Sequence, residues 1–492
     1  MAKKPFTLSK SRYIRGLQCH KSLWLYTHDR DLQEVSKSAT ASFQQGDEVG
    51  AIARNIFPKG KFIAFDNMSF EEQISETQKA LKKEKVIYEA AFSYGGVFVK
   101  ADILRKVGGS WELYEVKACN SRKDVHLDDI AIQHYVITGS GVPISKAFLT
   151  HLNKEYTRDG ELDVQALFTS EDVTDEIKAK QEAIKAEIGR QQKMLAGKEP
   201  IIDIGPHCTN PYNCDFAGHC WKNVPDNSIF DLTGNGVKKW PLYKDGILKM
   251  EDIPLGKLKG LQLQQVKTYL GKKTVVDPTG LKTFLKELWY PLYYLDFETF
   301  LAAVPPYDGL KPYQQIPFQY SLHSQKRAGG KLTHKEFLAN PNCDPREELL
   351  DSLLDEIPSN ACVLVYFQPF ELGRLKELAQ QFPKKAKQIN AIISNVRDLL
   401  VPFKGRALYS WKQQGSHSIK NVLPAFVKNM SYEGLEIGDG GEAIEAYQKM
   451  CAVADDPKAL GKIRQDLLEY CGQDTLAMVR LLEVVEAKSK LK

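Results

Sequence analysis

Residues 293–300, YYLDFETF, form an apolar run of strand length that carries two carboxylates, Asp296 and Glu298. Side chains along a strand alternate faces, so both acids leave the same face of one strand. Like charges side by side oppose folding unless something cationic lies between them. A strand end that opens into a polar, cation-accepting cleft is one way to accommodate the pair. A second carboxylate constellation occurs earlier. VFVKADIL at 97–104 carries Asp102, Gly108 and Gly109 supply a hairpin turn, and WELYEVKA at 111–118 puts Glu115 and Lys117 two apart on one face. Two carboxylates from adjacent strands can hold Mg²⁺ or Mn²⁺, hard cations that prefer oxygen ligands. A neighbouring lysine can orient a water and neutralise charge on a phosphate. The bland alternatives are a hairpin of solvated charges at 102–117 and a strand end capped in solvent at 296–298.

The 492 residues suffice for two or three domains, and 43% hydrophobic with 26% charged residues describes an ordinary globular chain. The net charge of +5 permits a nucleic-acid partner without demanding one. No apolar run reaches membrane-spanning length, and MAKKPFTLSKSRYIRG is basic without an apolar signal core, so the expectation is a cytoplasmic protein with no membrane partner. Strand-like runs alternating with helical patterns predict an α/β protein: a unit at 1–222, a linker and small helical connector at 223–291, and a second α/β unit at 292–492. Within the first unit, 169–197 reads as one polar helix opening on cap-type residues and stopping at Gly197.

CTNPYNCDFAGHC spaces Cys208, Cys214 and Cys220 as C-x5-C-x5-C. A closed tetrahedral or cluster site needs a fourth thiolate, for which Cys19 is the candidate. Zinc is a competing occupant, for which His20, His207 and His219 are further ligands, and spacing alone does not separate the two. The remaining cysteines, Cys119, Cys343, Cys362, Cys451 and Cys471, are scattered and read as apolar fillers.

Glu89 on IYEAAF, Asp102, Glu115, Lys117 and Gln133 on DIAIQHYVI follow one another in an order that resembles the PD-(D/E)xK core of RecB-like nucleases. One N-terminal cysteine with three C-terminal ones resembles the iron–sulfur members, including the CRISPR adaptation nucleases. That resemblance implies a [4Fe–4S] cluster on Cys19, Cys208, Cys214 and Cys220. Those members often carry a metal-binding His before the core. FQQGDEVGAIARNIFP has none, with Asp47 and Glu48 as the nearest acids.

In the second unit, LEYCGQDTLAM places Tyr470 and Asp474 four apart on a predicted helix. D-x-E early and Y-x-x-x-D late resembles the Tyr-type DEDD exonucleases, which implies a ribonuclease-H-like fold. It also implies metal ligation by Asp296, Glu298 and Asp474, with Tyr470 orienting water. The family's further Asp is matched by Glu371 in VYFQPFELGRL, where Phe367 stands at an Asn position; Asp398 is a backup carboxylate.

With SHSIKNVLPAF at 416–426 and the YC-x2-DT ending, the chain resembles a bacterial family of predicted RecB-type nucleases. The resemblance implies metal-dependent cleavage of DNA, in repair or defence against foreign DNA, at two sites. One would use Asp102 and Glu115 as metal ligands, the other Asp296, Glu298 and Asp474. No G-x4-G-K-[ST] loop occurs, so unwinding would fall to a separate helicase or defence-system partner. The aromatics among basics in KSRYIRG and RALYSWKQQ are candidates for base stacking. An RNA exonuclease and a catalytically decayed nucleic-acid-binding scaffold are the alternatives.

Overall fold

The computed structural model describes residues 7–34, 37–234 and 236–491, with the backbone alone for 37–44. The start of the basic N-terminal stretch, at 1–6, lies outside the described residues, as does Asn235 of the expected linker. The protein is mixed α/β, and its Cα packing divides it into two units. One comprises Met1–Asn223 and Ala302–Gln314, the other Val224–Leu301 and Gln315–Lys492. Among the described residues no helix is long and apolar enough to cross a membrane.

The first unit is built on one sheet of β1 (Leu8–Ser9), β2 (Lys61–Phe62), β3 (Val86–Tyr94), β4 (Val97–Val107), β5 (Ser110–Lys117), β6 (Ile144–Leu152) and β7 (Phe168–Asp172). The path runs β2-β3-β4-β5-β6-β7, with β1 beside β4. Tyr94 pairs with Val97 across Gly95 and Gly96, whose φ of 61° and 79° are the left-handed values a two-residue hairpin needs. β5 and β6 are parallel, so a crossover must join them; the helix Asp124–Gly139 does so. Its Ile130, Ala131, Ile132, Val136 and Ile137 are all buried because sheet and helices cover it on several sides.

The single helix expected over 169–197 is corrected. Phe168–Asp172 pairs antiparallel with β6, a short helix runs Thr174–Lys178, and a second runs Gln181–Leu195. The cap-type residues at its start serve the sheet and the turn after it. Asp172 Oδ1 accepts from the Thr174 amide at 3.1 Å, and sheet pairing through 168–172 outweighs the local helix signal.

The second unit contains β8 (Thr274–Val276), β9 (Leu292–Leu301), β10 (Gln315–Gln325), β11 (Thr333–Leu338), β12 (Cys362–Val365), β13 (Val396–Asp398) and β14 (Leu408–Ser410). Five of them form a sheet ordered β11-β10-β9-β12-β13: an antiparallel meander through β9, β10 and β11, with β12 and β13 parallel to β9. The residues from 224 onward are packed into this unit. They carry a small core of Ile229, Leu242, Met250 and Val266, and β8 pairs with β14.

On β9, Leu295 and Phe297 belong to the core under the helices Arg346–Glu356, Gln368–Gln381 and Ala386–Asn395. Leu292 and Tyr294 belong to the opposite core, shared with the helix Pro457–Ser489. By strand alternation Asp296 and Glu298 continue the Leu292–Tyr294 face toward that 33-residue helix.

Candidate functional site

In the second unit the sequence-predicted acids converge. Asp296, Glu298, Tyr470 and Asp474 line a cavity of about 230 Å³, together with Tyr366, Phe370 and Lys420. Glu298 and Asp474 are each 7% exposed, and Glu371 is 1% exposed. Glu371 sits in the first turn of the helix Gln368–Gln381, where the Asp296 charge acts on it, and among the described residues its Oε2 has no hydrogen-bond partner. Phe367, where the exonuclease resemblance leads one to expect an Asn, caps this helix in the left-handed region at φ 83°. Asp398 is a structural group: its carboxylate accepts from the amides of Phe367 and Gln368, each at 3.0 Å, and from that of Leu400 at 2.9 Å.

Burial raises all four acids, and their mutual charges raise Asp296, Glu298 and Glu371 further. Asp474 is pushed up to about 6 by burial, restrained by hydrogen bonding from Tyr432 and Tyr470 and by the charge of Lys420. The Tyr432 hydroxyl donates to Asp474 Oδ1. Tyr470 is held strongly protonated by burial and the adjacent carboxylates. Lys420 is the cation that opposes the charge of both Glu298 and Asp474. Four acids, three of them buried, thus outnumber the Lys420 and Arg374 cations acting on them, a donor set that could hold a divalent cation.

Among the described residues, one group brings three ligand atoms within 4.8 Å of one another: Asp296, Glu298 and Cys471. Cys471, read as a filler, is fully buried and also places its Sγ 3.7 Å from Asp296 Oδ2. Its position beside Tyr470 was visible in the sequence. Lys420 sits in the SHSIKNVLPAF segment, and Tyr432 carries no local signal of its role.

Residues 293–418 match the family described as Domain of unknown function (DUF2779). Comparison with curated proteins gives no match. The DUF2779 segment begins on β9 and takes in Asp296, Glu298, Glu371 and Asp398; Lys420, Tyr432, Tyr470 and Asp474 follow it.

In the first unit, Glu115, Lys117 and Gln133 meet directly. Glu115, 1% exposed, receives Lys117 Nζ on Oε1 at 2.7 Å and Gln133 Nε2 on Oε2 at 2.5 Å. Two further residues complete the arrangement. Lys10 Nζ also donates to Glu115 Oε1 at 2.7 Å and lies 3.4 Å from Asp129, which in turn receives Lys117. Two lysines and two carboxylates thus close a ring. Burial works against the Glu115 charge, yet the two ammoniums hold its carboxyl well below the usual range. Asp102 accepts from the Val116 amide at 2.7 Å and is pushed up, first by burial and then by Glu115. Glu89 lies between the β3–β4 pairs Tyr88↔Ile103 and Ala90↔Ala101, hence opposite Asp102, but with φ 56° and ion pairs to Lys100 at 3.2 Å and Arg54 at 3.7 Å. Asp129 was findable, one turn before Gln133 on the same helix; Lys10 was not.

Cys19, Cys208, Cys214 and Cys220 gather from the junction of the helices Lys10–Gln18 and His20–His28 and from the 206–221 segment. Burial raises the Cys19 and Cys220 thiols, and the neighbouring cysteines add to it. The Gly205 amide donates to Cys208 Sγ at 3.5 Å. Among the described residues, no three of these sulfurs come within 4.8 Å of one another. Four sulfurs bonded tetrahedrally to zinc at ~2.3 Å would lie about 3.8 Å apart. Of the alternative zinc ligands, His20 Nε2 is engaged by Glu187 at 2.7 Å.

Of the aromatics suggested for base stacking, Tyr13 and Tyr409 are buried and Trp411 is half-buried. Lys272 Nζ lies 4.2 Å from the Trp411 ring centroid and the Arg406 guanidinium 4.0 Å from that of Tyr409.

Proposed function

We propose that the protein is a metal-dependent nuclease whose second-unit cleft hydrolyses phosphodiester bonds of DNA. The observation that carries this reading is the set of converging carboxylates, half-buried Asp296 with buried Glu298, Glu371 and Asp474, and among the described residues Glu371 Oε2 has no hydrogen-bond partner. The donor set suits Mg²⁺ or Mn²⁺, which would be held by Asp296, Glu298 and Asp474 with Glu371 behind Asp296. When bound, such an ion activates a water and stabilises the leaving oxygen. Tyr470, held protonated, orients the attacking water by hydrogen bonding and does not take its proton. Lys420 supplies a positive charge at the cleft for a phosphate. The sheet order, with the acids on its first strand, after its fourth and on the closing helix, supports the ribonuclease-H-like, Tyr-type exonuclease reading.

In the first unit the residues of the RecB-like reading, Asp102, Glu115, Lys117 and Gln133, are adjacent. A metal ion on Glu115 must displace Lys10, because Oε1 already carries two ammoniums. This favours a second reading of that unit as a nucleic-acid-binding platform, with cleavage assigned to the second. Cys19, Cys208, Cys214 and Cys220, close enough for their charges to act on one another, would hold the [4Fe–4S] cluster that the resemblance implies, with zinc as the alternative.

The test is cleavage of end-labelled single- and double-stranded DNA and matched RNA with Mn²⁺ or Mg²⁺, using anaerobically purified protein. Cleavage of DNA that is lost in Asp296→Asn and retained in Asp102→Asn is expected. Cleavage unaffected by Asp296→Asn contradicts the assignment, and preferential cutting of RNA moves it to the RNA exonuclease alternative.

A further inference from the structure

The second-unit cleft differs from an all-oxygen magnesium seat in one respect. Its tightest cluster of ligand atoms contains a sulfur: Asp296, Glu298 and Cys471 offer two carboxylate oxygens and one Sγ within 4.8 Å of one another. Cys471 is fully buried, and its Sγ lies 3.7 Å from Asp296 Oδ2 and 4.0 Å from the Asp296 carbonyl. The helix Pro457–Ser489 aims Tyr470 and Asp474, four apart, into the cavity, and Cys471, three residues before Asp474, meets the same cluster from behind Asp296. An independent feature marks the same place as ligand-accepting: Glu371, 1% exposed and beside Asp296, carries a buried oxygen that no group among the described residues satisfies.

We propose that Cys471 is an inner ligand of this cleft, and that the resulting two-carboxylate, one-thiolate set takes a borderline-soft divalent ion, Zn²⁺ or Co²⁺, in preference to Mg²⁺. The inference rests on the reading of the cleft as a metal site and adds to it a ligand and a metal preference. Thiolate sulfur bonds zinc and cobalt well and magnesium poorly, and oxygen–sulfur sites follow the rising affinity order from Mn²⁺ toward the later metals. On binding, the Sγ–H bond breaks, its proton goes to solvent, and the sulfur lone pair forms the bond to the ion; no oxidation is involved. The cleft thereby discriminates between two classes of divalent cation by a single side chain.

The test is titration of the full-length protein with Co²⁺, Zn²⁺ and Mg²⁺, followed by calorimetry and by the sulfur-to-cobalt charge-transfer absorption. Wild type is compared with Cys471→Ser, Cys471→Ala and Asp296→Asn. Subtracting the Cys471→Ser spectrum from wild type removes the contribution of the other cysteines. The expected result is a difference band saturating at one equivalent of Co²⁺, at least a tenfold loss of Zn²⁺ affinity in both Cys471 variants, and Mg²⁺ affinity within twofold of wild type. Folding of the variants is checked by circular dichroism, and two substitutions of different polarity keep the outcome readable if one misfolds. If Asp296→Asn abolishes ion binding while the Cys471 variants keep Zn²⁺ affinity and show no difference band, the sulfur ligand is overturned and the metal site stands. If Asp296→Asn changes nothing, both fail.

Discussion

Asp474 shows how a single acid reports the state of the cleft. Its carboxyl is pushed up to about 6 from an ordinary value of 3.8, so without a bound ion the folded protein holds its proton more tightly than the unfolded chain does. The folded state binds more protons between these values, and stability from this group is lost as pH rises through them. At pH 7 the charged form costs about 3 kcal/mol, from about 1.4 kcal/mol per pKa unit. Asp474→Asn is therefore expected to be more stable than wild type at pH 7 in chelator and to lose that advantage below pH 4, as measured by denaturant unfolding. An advantage independent of pH would contradict this account of the site. Asp296 and Glu298 were legible from sequence because strand alternation fixes their shared face. Lys420, Tyr432 and Lys10 were not, because each reaches its carboxylate across tens of residues of chain with no local pattern to announce it.

Among elements, the helix Gln368–Gln381 illustrates what local signals miss. The sequence indicated a carboxylate at 371, but not that the helix would be entered through Phe367 at φ 83°, a conformation that costs a residue with a Cβ roughly 1 kcal/mol. Asp398 holds that turn by accepting both the Phe367 and Gln368 amides, which explains a buried-side carboxylate that takes no part in the cleft. Phe367→Gly is expected to be more stable than Phe367→Ala by about 1 kcal/mol in chemical denaturation, since the two differ only in the Cβ; equal stabilities would show that the turn is unstrained. The 168–172 strand was lost to sequence reading for the opposite reason. Its Thr, Ser and Asp carry strong helix-capping preferences, and only the pairing with β6, which no local window contains, decides the backbone.

At the scale of the whole molecule, two units with separate cores present opposite electrostatic solutions to the same motif. The first neutralises Glu115 and Asp129 with Lys10 and Lys117; the second leaves four acids to Lys420 and Arg374. The mixed α/β class was legible from alternating apolar runs, whereas the packing of 224–291 into the second unit depended on the β8–β14 pairing, distant in sequence, and no local signal announced that 302–314 packs with the first. On the proposed reading, in which the four cysteines hold a [4Fe–4S] cluster and the second unit cleaves, Cys208→Ser is expected to lower the iron content of anaerobically purified protein and to leave cleavage intact; full iron content in that variant would contradict Cys208 as a ligand. The central claim, that the converging acids of the second unit are a divalent-cation seat, is tested most directly by Mn²⁺ binding, followed by electron paramagnetic resonance on wild type and Asp296→Asn. The account predicts that wild type takes up at least one Mn²⁺ that Asp296→Asn does not, whereas identical Mn²⁺ uptake by the two proteins would contradict it.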